Sequence, residues 1–203
     1  MTATTTPAVD NRQKILQAAA SLFGRQGFHG TSTRDIAKAA GVSLGNIYNH
    51  FSTKEELFVH LLERYRVEYF RPDQPLAMAM TSSTFPENVE EIGIASRETV
   101  RRFAPYMRLI YVDVVEFDAA HVGPVFRAMR DRYTDIILGQ GVDKRRFRVD
   151  PVAALMMTTW GFFTYFITEK LFGVQRHYGM ADDEVIRLFA EVIRNGALRG
   201  GKA

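Results

Sequence analysis

The sequence predicts an all-α protein of about nine helices, with a small three-helix domain at the N-terminus and a larger helical domain after it. Three observations lead there. Apolar residues recur at three- and four-residue spacing along the chain, with no alternating run long enough to make a strand. Helix-start signals recur at Asp10, Ser32, Ser43, Ser52, Thr84 and Asp150. Two short helical patterns flank the tight connection Ala40-Gly41-Val42-Ser43.

The first helix covers about 11–26. Asp10 with Gln13 makes a capping box. Ile15, Ala19, Leu22 and Phe23 share one face, and Gly27-Phe28 fits a C-terminal cap whose apolar residue folds back. The second helix starts after Ser32 or Thr33, turns Ile36, Ala37 and Ala40 inward and stops at Gly41. The third starts after Ser43 and ends near His50. Ser52 with Glu55 opens the fourth, which runs to about Arg71, before Pro72. Residues 72–83 read as a loop. Thr84, Glu87 and Pro86 open a fifth helix that reaches about Phe103, and Pro105 opens a sixth to about Asp118. Gly123-Pro124 starts the seventh, to about Leu138, and 139–149 reads as a basic loop. Asp150-Pro151 pairs an N-cap with a first-turn proline for the eighth helix, to about Phe172; the ninth spans about 182–198. The expected division is a disordered tail over 1–10, a first domain over 11–53 and a second over 54–203.

Composition is that of an ordinary globular protein: 203 residues, 46% hydrophobic and 24% charged. No cysteine is present, which excludes disulfides, thiolate metal sites and cysteine nucleophiles, and fits a reducing cytoplasm. The Thr/Ala-rich start, Met1 to Val9, has no basic or apolar signal-peptide region. The most apolar stretch, 152–167, is interrupted by Thr158, Thr159 and Thr164 and falls short of the ~20 residues a bilayer requires. A cytoplasmic location and no membrane partner are expected. Positive charge is concentrated early: Arg12, Lys14, Arg25, Arg34, Lys38 and Lys54 face only Asp10 and Asp35 within the first 54 residues, while the remainder carries 20 basic and 21 acidic residues. A basic small domain on a near-neutral larger one suits a polyanion bound at one end.

The segment Thr31 to Leu57 is the informative one. Leu44, Ile47 and Phe51 lie in one arc of the third helix, at ~100° per residue, and form its inward face. Gly45 and Asn49 lie opposite, flanked by Asn46 and Tyr48, and no carboxylate interrupts this outward face. Such a helix can enter a major groove ~12 Å wide, where an asparagine can pair with an adenine edge. Ser32, Thr33, Arg34, Ser43, Leu44, Gly45, Asn46, Tyr48, Asn49, His50 and Lys54 are therefore the candidate DNA-binding residues. Within that set Tyr48, His50 and Lys54 suit phosphates, as do the hydroxyls and amides of Ser32 and Thr33.

Thr33, Ile36-Ala37, Ala40-Gly41-Val42-Ser43, Gly45, Tyr48, His50-Phe51 and Lys54-Glu55-Glu56-Leu57 together resemble the TetR family of regulators. Ile15-Leu16, Ala18-Ala19, Leu22-Phe23 and Gly27-Phe28 extend the resemblance upstream, so that it covers roughly 11–62. It implies a helix-turn-helix DNA-binding domain, a fourth helix linking to a ligand domain, a homodimer formed through the last two helices (the eighth and ninth), and repression as the usual mode. The expected partners are double-stranded DNA with a palindromic operator, a small apolar effector and a second copy of the chain.

Beyond residue 62 only the helix pattern continues to fit. The second domain is rich in aromatic residues and methionine, the ordinary signature of a core, and the family resemblance implies a partly hollow pocket within it. Tyr65, Phe103, Met107, Tyr111, Phe126, Met129, Thr159, Trp160 and Phe163 are the candidate ligand-binding residues. Asp113, Glu116 and Asp118 could serve acid–base chemistry or a metal, but pairing with Arg101, Arg102 or Arg108 is the plainer expectation. His29, His50, His60, His121 and His177 show no metal-ligand spacing, and no P-loop, dinucleotide fingerprint or nucleophile elbow is present. No enzyme activity, cofactor or metal is expected. The alternative function is a helical small-ligand or lipid-binding protein without a DNA role, and a DNA-binding measurement separates the two.

Overall fold

The computed structural model describes residues 10–127 and 129–198. Apart from Asp10, the expected N-terminal tail lies outside the described residues. Ten α-helices occur among the described residues: α1 (Asn11–Gln26), α2 (Thr33–Ala40), α3 (Leu44–His50), α4 (Lys54–Tyr69), α5 (Pro75–Ser82), α6 (Val89–Glu116), α7 (Gly123–Arg127), α8 (Met129–Gly139), α9 (Pro151–Leu171) and α10 (Asp182–Ala197). A short 3-10 turn, Lys144–Arg146, lies in the expected basic loop. No strand is present among these residues; one isolated antiparallel bridge pairs Phe147 with Leu198.

Three expectations need correction. The expected loop over 72–83 contains α5, which Pro75 opens at its first position and which buries Leu76, Ala79 and Met80. That is one helical face at i, i+3 and i+4, masked in the sequence by the nearby Pro72. The expected fifth and sixth helices are one helix, α6, with a kink where Phe103 leaves helical geometry (φ −100°, ψ 15°) ahead of Pro105. Proline removes one amide donor and crowds the preceding turn, which bends this helix without ending it. Finally, the cap of α4 is shifted by one residue from Ser52–Glu55: Glu56 N donates to Thr53 Oγ1 at 2.9 Å, and the Glu56 carboxylate accepts from Ser52 N at 2.6 Å.

The chain forms two compact units. Unit 1 runs through Arg66 and takes in Pro105–Val122; unit 2 comprises Val67–Ala104 and the chain from Gly123 onward. Unit 1 extends past the expected boundary at residue 53 because three helices cannot close its core alone. Leu57, Phe58 and Leu61 of α4 are buried in it. The rings of Phe23, Phe28, Phe58 and Phe117 meet with centroids 4.7 to 5.5 Å apart. Aromatic pairs at such separations add about 0.5–1.5 kcal/mol each beyond area burial.

Unit 2 is organised by α9, which buries residues on most of its circumference, including Leu155, Phe162, Tyr165 and Phe166. Its buried threonines carry their own solution to polar burial: Thr158 and Thr159 donate to the carbonyls of Ala154 and Leu155 at 2.8 and 2.9 Å. Helix α10 meets α9 closely at Gly161, where a Cβ would stand 2.6 Å from Cε1 of Phe189. No described helix is long and apolar enough to cross a membrane.

Candidate nucleic-acid interface

Two well-capped short helices build the site in unit 1. At the start of α2, Ser32 Oγ accepts from Asp35 N, and Asp35 Oδ2 accepts from Ser32 N, both at 3.1 Å. The Ser32 hydroxyl also donates to Asp35 Oδ2. Hydrogen bonds from the Ser32 side chain and backbone hold the Asp35 carboxyl below its ordinary range, so it stays ionised at the helix N-terminus, where the dipole favours it. Gly41 then ends α2 with φ 66° and ψ 34°. No atom lies within 4 Å of where its Cβ would stand, so the backbone conformation alone calls for glycine there. Ser43 caps α3 by accepting from Asn46 N at 3.2 Å.

This frame sets the orientation of α3. Ile47 and Phe51 are buried and Leu44 is half-buried, while Gly45, Tyr48, Asn49 and His50 are exposed. The space around Gly45 is open: the nearest atom to a Cβ there would be Ser43 Oγ at 4.0 Å. Internal packing therefore does not exclude a side chain at Gly45. The Tyr48 hydroxyl lies 3.4 Å from Thr33 Oγ1, which joins the outward face of α3 to the first turn of α2. Asn46 is half-buried, and its Oδ1 has no hydrogen-bond partner. Arg34 is exposed on α2, as is Lys38, a cation absent from the sequence-based candidates.

Two candidates have internal partners as well. The Ser32 hydroxyl and backbone amide both donate to Asp35, so the expected phosphate role of Ser32 competes with its own capping box. Lys54 Nζ donates to the carbonyls of Phe28 and Thr31, both at 2.8 Å, and stands 4.2 Å above the Phe28 ring. Two of its three protons thus tie α4 to the turn between α1 and α2. A further tie is Arg12, which donates to His60 Nε2 at 2.8 Å and lies over the Phe51 ring. Burial and the charges of Arg12 and Arg64 push the His60 ring below its ordinary value, in keeping with its role as acceptor.

The acidic cluster at the end of α6 has partners other than the expected arginines. Asp113, fully buried, accepts from His121 Nδ1 at 2.6 Å and from the amides of His121 and Val122. Glu116 accepts from the amides of Phe28 and His29. Arg102 pairs instead with Glu68. Among the described residues no group of three or more His, Asp or Glu side chains could hold a metal. Glu116 was not legible as part of this region from sequence, because 87 residues separate it from His29.

The candidate ligand residues divide between the units. Tyr65, Met107 and Tyr111 belong to unit 1; Phe103, Phe126, Met129, Thr159, Trp160 and Phe163 belong to unit 2. In unit 1, Met107 is buried and Tyr111 is exposed, and the Tyr65 ring packs 5.5 Å from Tyr106. In unit 2, the rings of Phe126 and Trp160 meet at a tilt with centroids 5.6 Å apart and are exposed, whereas Phe103 and Thr159 are buried. Phe103 and Phe163 both contact Tyr69. An open cleft of about 570 Å³ in unit 2 is lined by polar residues, among them Thr84, Arg132, Asp135 and Gln140, and by none of the candidates.

Two capped helices at a glycine turn, with a carboxylate-free outward face on the second, define a helix-turn-helix protein. Residues 15–61 match the model of the bacterial regulatory proteins, tetR family. The repressor KstR2 of Mycobacterium tuberculosis is 29% identical over 161 residues, 73% of this chain and 78% of that protein. Solved structures agree in fold. The ketosteroid transcriptional regulator KstR2 of M. tuberculosis matches with a TM-score of 0.66 and 18% identity, covering 95% of this chain and 97% of that one. The fatty acid degradation regulator FadR from Bacillus halodurans matches at 0.67 and 17%, covering 93% and 96%. Residues 15–61 are thus similar to the DNA-binding domain of the bacterial regulatory proteins of the tetR family, and the chain is a DNA-binding transcriptional regulator.

Proposed function

We propose that the protein is a dimeric repressor that places α3 of each copy in successive major grooves of a palindromic operator and leaves it when a largely apolar small molecule binds. The observation that carries this reading is the outward face of α3: Gly45, Tyr48 and Asn49 are exposed on a helix without a carboxylate, beside the exposed Arg34 of α2. Asn49 reads base edges. Tyr48, Thr33, His50 and Arg34 meet phosphates, and the open space at Gly45 admits the DNA backbone closely. Two-fold symmetry places the reading helices ~34–36 Å apart or at a multiple of one helical turn.

The pairing surface proposed is α9 with α10. Met157 and Trp160 on α9 and Leu188 and Val192 on α10 are exposed apolar side chains, which a second copy would cover. The effector reading draws on the names of two relatives, a ketosteroid regulator and a fatty acid degradation regulator, and on the aromatic lining candidates Phe103, Phe126, Trp160 and Phe163. The effector acts by differing in affinity for the DNA-competent and DNA-incompetent states, and DNA weakens effector binding reciprocally.

The test is selection of bound duplexes from a random DNA pool at near-physiological salt. An enriched inverted repeat is expected, and Asn49→Ala should relax base preference within its half-sites. No enrichment by folded, ligand-free protein would transfer the reading to a helical ligand-binding protein without DNA function.

A further inference from the structure

The turn between α1 and α2 is held from both sides by side chains distant in sequence. Its amides point at Glu116: Phe28 N donates to Oε1 at 2.9 Å and His29 N to Oε2 at 2.7 Å, and the His29 ring Nδ1 lies 2.5 Å from Oε2. Its carbonyls point the other way, those of Phe28 and Thr31 to Lys54 and that of Gly27 to the Thr31 hydroxyl. Successive amides facing one carboxylate form an anion-binding concavity, here filled from within the same unit. Gly27 has φ 77°, and a Cβ on it would collide with Oε1 of Glu116, so the turn is shaped to admit this carboxylate. The chain leaves the turn through buried Thr31 directly into Ser32 and Thr33, the start of α2.

We propose that Glu116 is a positioning residue for operator binding: by occupying the amides of Phe28 and His29 it fixes the direction in which the N-terminus of α2 presents its first-turn amides and Thr33 to a phosphate. This rests on the DNA-binding reading above. Glu116 touches no DNA in this scheme. Its negative charge opposes a polyanion, so charge alone makes its removal strengthen DNA binding. Positioning makes the opposite prediction, because a turn that loses both amide acceptors no longer aims α2. The sign of the effect therefore separates the two roles.

The experiment measures binding of full-length wild type, Glu116→Gln and Glu116→Ala to the duplex that wild type enriches from a random pool, with the folded fraction of each set by circular dichroism. Glu116→Gln keeps the shape and one acceptor and provides the comparison if Glu116→Ala does not fold. Both variants should bind about tenfold more weakly or worse per folded molecule, the scale expected from losing charge-assisted hydrogen bonds to two amides. Amide exchange at Phe28 and His29 should accelerate in both. Folded variants that bind as tightly as wild type, or more tightly, overturn the proposal while leaving the DNA-binding reading intact. A wild type that enriches no duplex overturns both.

Discussion

Replacing Lys54 with methionine separates two roles that the sequence leaves merged. Methionine keeps an unbranched apolar stem over the Phe28 ring and deletes the ammonium. That ammonium donates to two backbone carbonyls at 2.8 Å and lies 4.2 Å from the ring centroid. Hydrogen bonds to a charged group contribute about 1.5–3 kcal/mol each when dry. Lys54 is half-buried, so the lower end applies, and the cation–π contact adds about 0.5–1 kcal/mol. The sum is about 3.5–4 kcal/mol. For a protein of this length that is roughly 7–16 °C in melting temperature, at 2–4 °C per kcal/mol. The assay pairs thermal unfolding followed by circular dichroism with operator titrations across a salt series. A tie between α4 and the turn predicts a large loss of stability and an unchanged slope of log affinity against log salt for the folded protein. A melting temperature within about 2 °C of wild type, together with a slope reduced by about one, would show that Lys54 serves a phosphate and that the carbonyl contacts contribute little.

Gly161→Ala should destabilise unit 2 by about 1–3 kcal/mol in urea unfolding, because the new methyl has to displace the Phe189 ring. Tyr133→Phe removes a hydroxyl that shares a hydrogen bond with Thr159 and should cost about 1 kcal/mol. In wild type, burial pushes that phenol up to about 12, so absorbance titration should find it un-ionised at pH 10. His60→Gln preserves an acceptor for Arg12 without a titrating ring. In wild type the folded His60 value is lowered by burial and by Arg12 and Arg64, against the opposing charges of Glu56 and Glu63. Above about pH 6.5 the ring is neutral folded or unfolded and adds nothing; as pH falls, the unfolded ring takes up a proton first, and stability is lost until the folded value is passed. Unfolding measured from pH 7.5 to 5 should therefore fall more steeply for wild type than for His60→Gln, and parallel curves would refute the assignment.

Local chemistry was legible where neighbours in sequence are neighbours in space. Capping residues, the glycine at 41 and the period of Leu44, Ile47 and Phe51 all act within one turn or one short helix, so α1, α2 and α3 and the exposure of Gly45, Tyr48 and Asn49 could be read from residue order. The same holds for α9, which Asp150-Pro151 opens, and for α10. Local signals failed where two readings of proline compete. Pro75 opens a helix that Pro72 made look like a loop, and Pro105 bends a helix that it was expected to begin.

The roles of charged side chains depended on tertiary structure. Lys54, as a cation just after α3, suggests a phosphate contact by type and position. Only the fold brings the carbonyls of Phe28 and Thr31 to it. Glu116 looks like one member of an acidic group on a helix. Only the fold brings the end of α6 to the amides of the α1–α2 turn. The physical reason is the range of the interactions: capping and periodicity are set by backbone geometry over a few residues, whereas hydrogen bonds between distant segments depend on how helices pack. The sequence by itself determined α1, α2, α3, α9 and α10 and the exposed face of α3; tertiary structure decided which ionic groups hold that face in place.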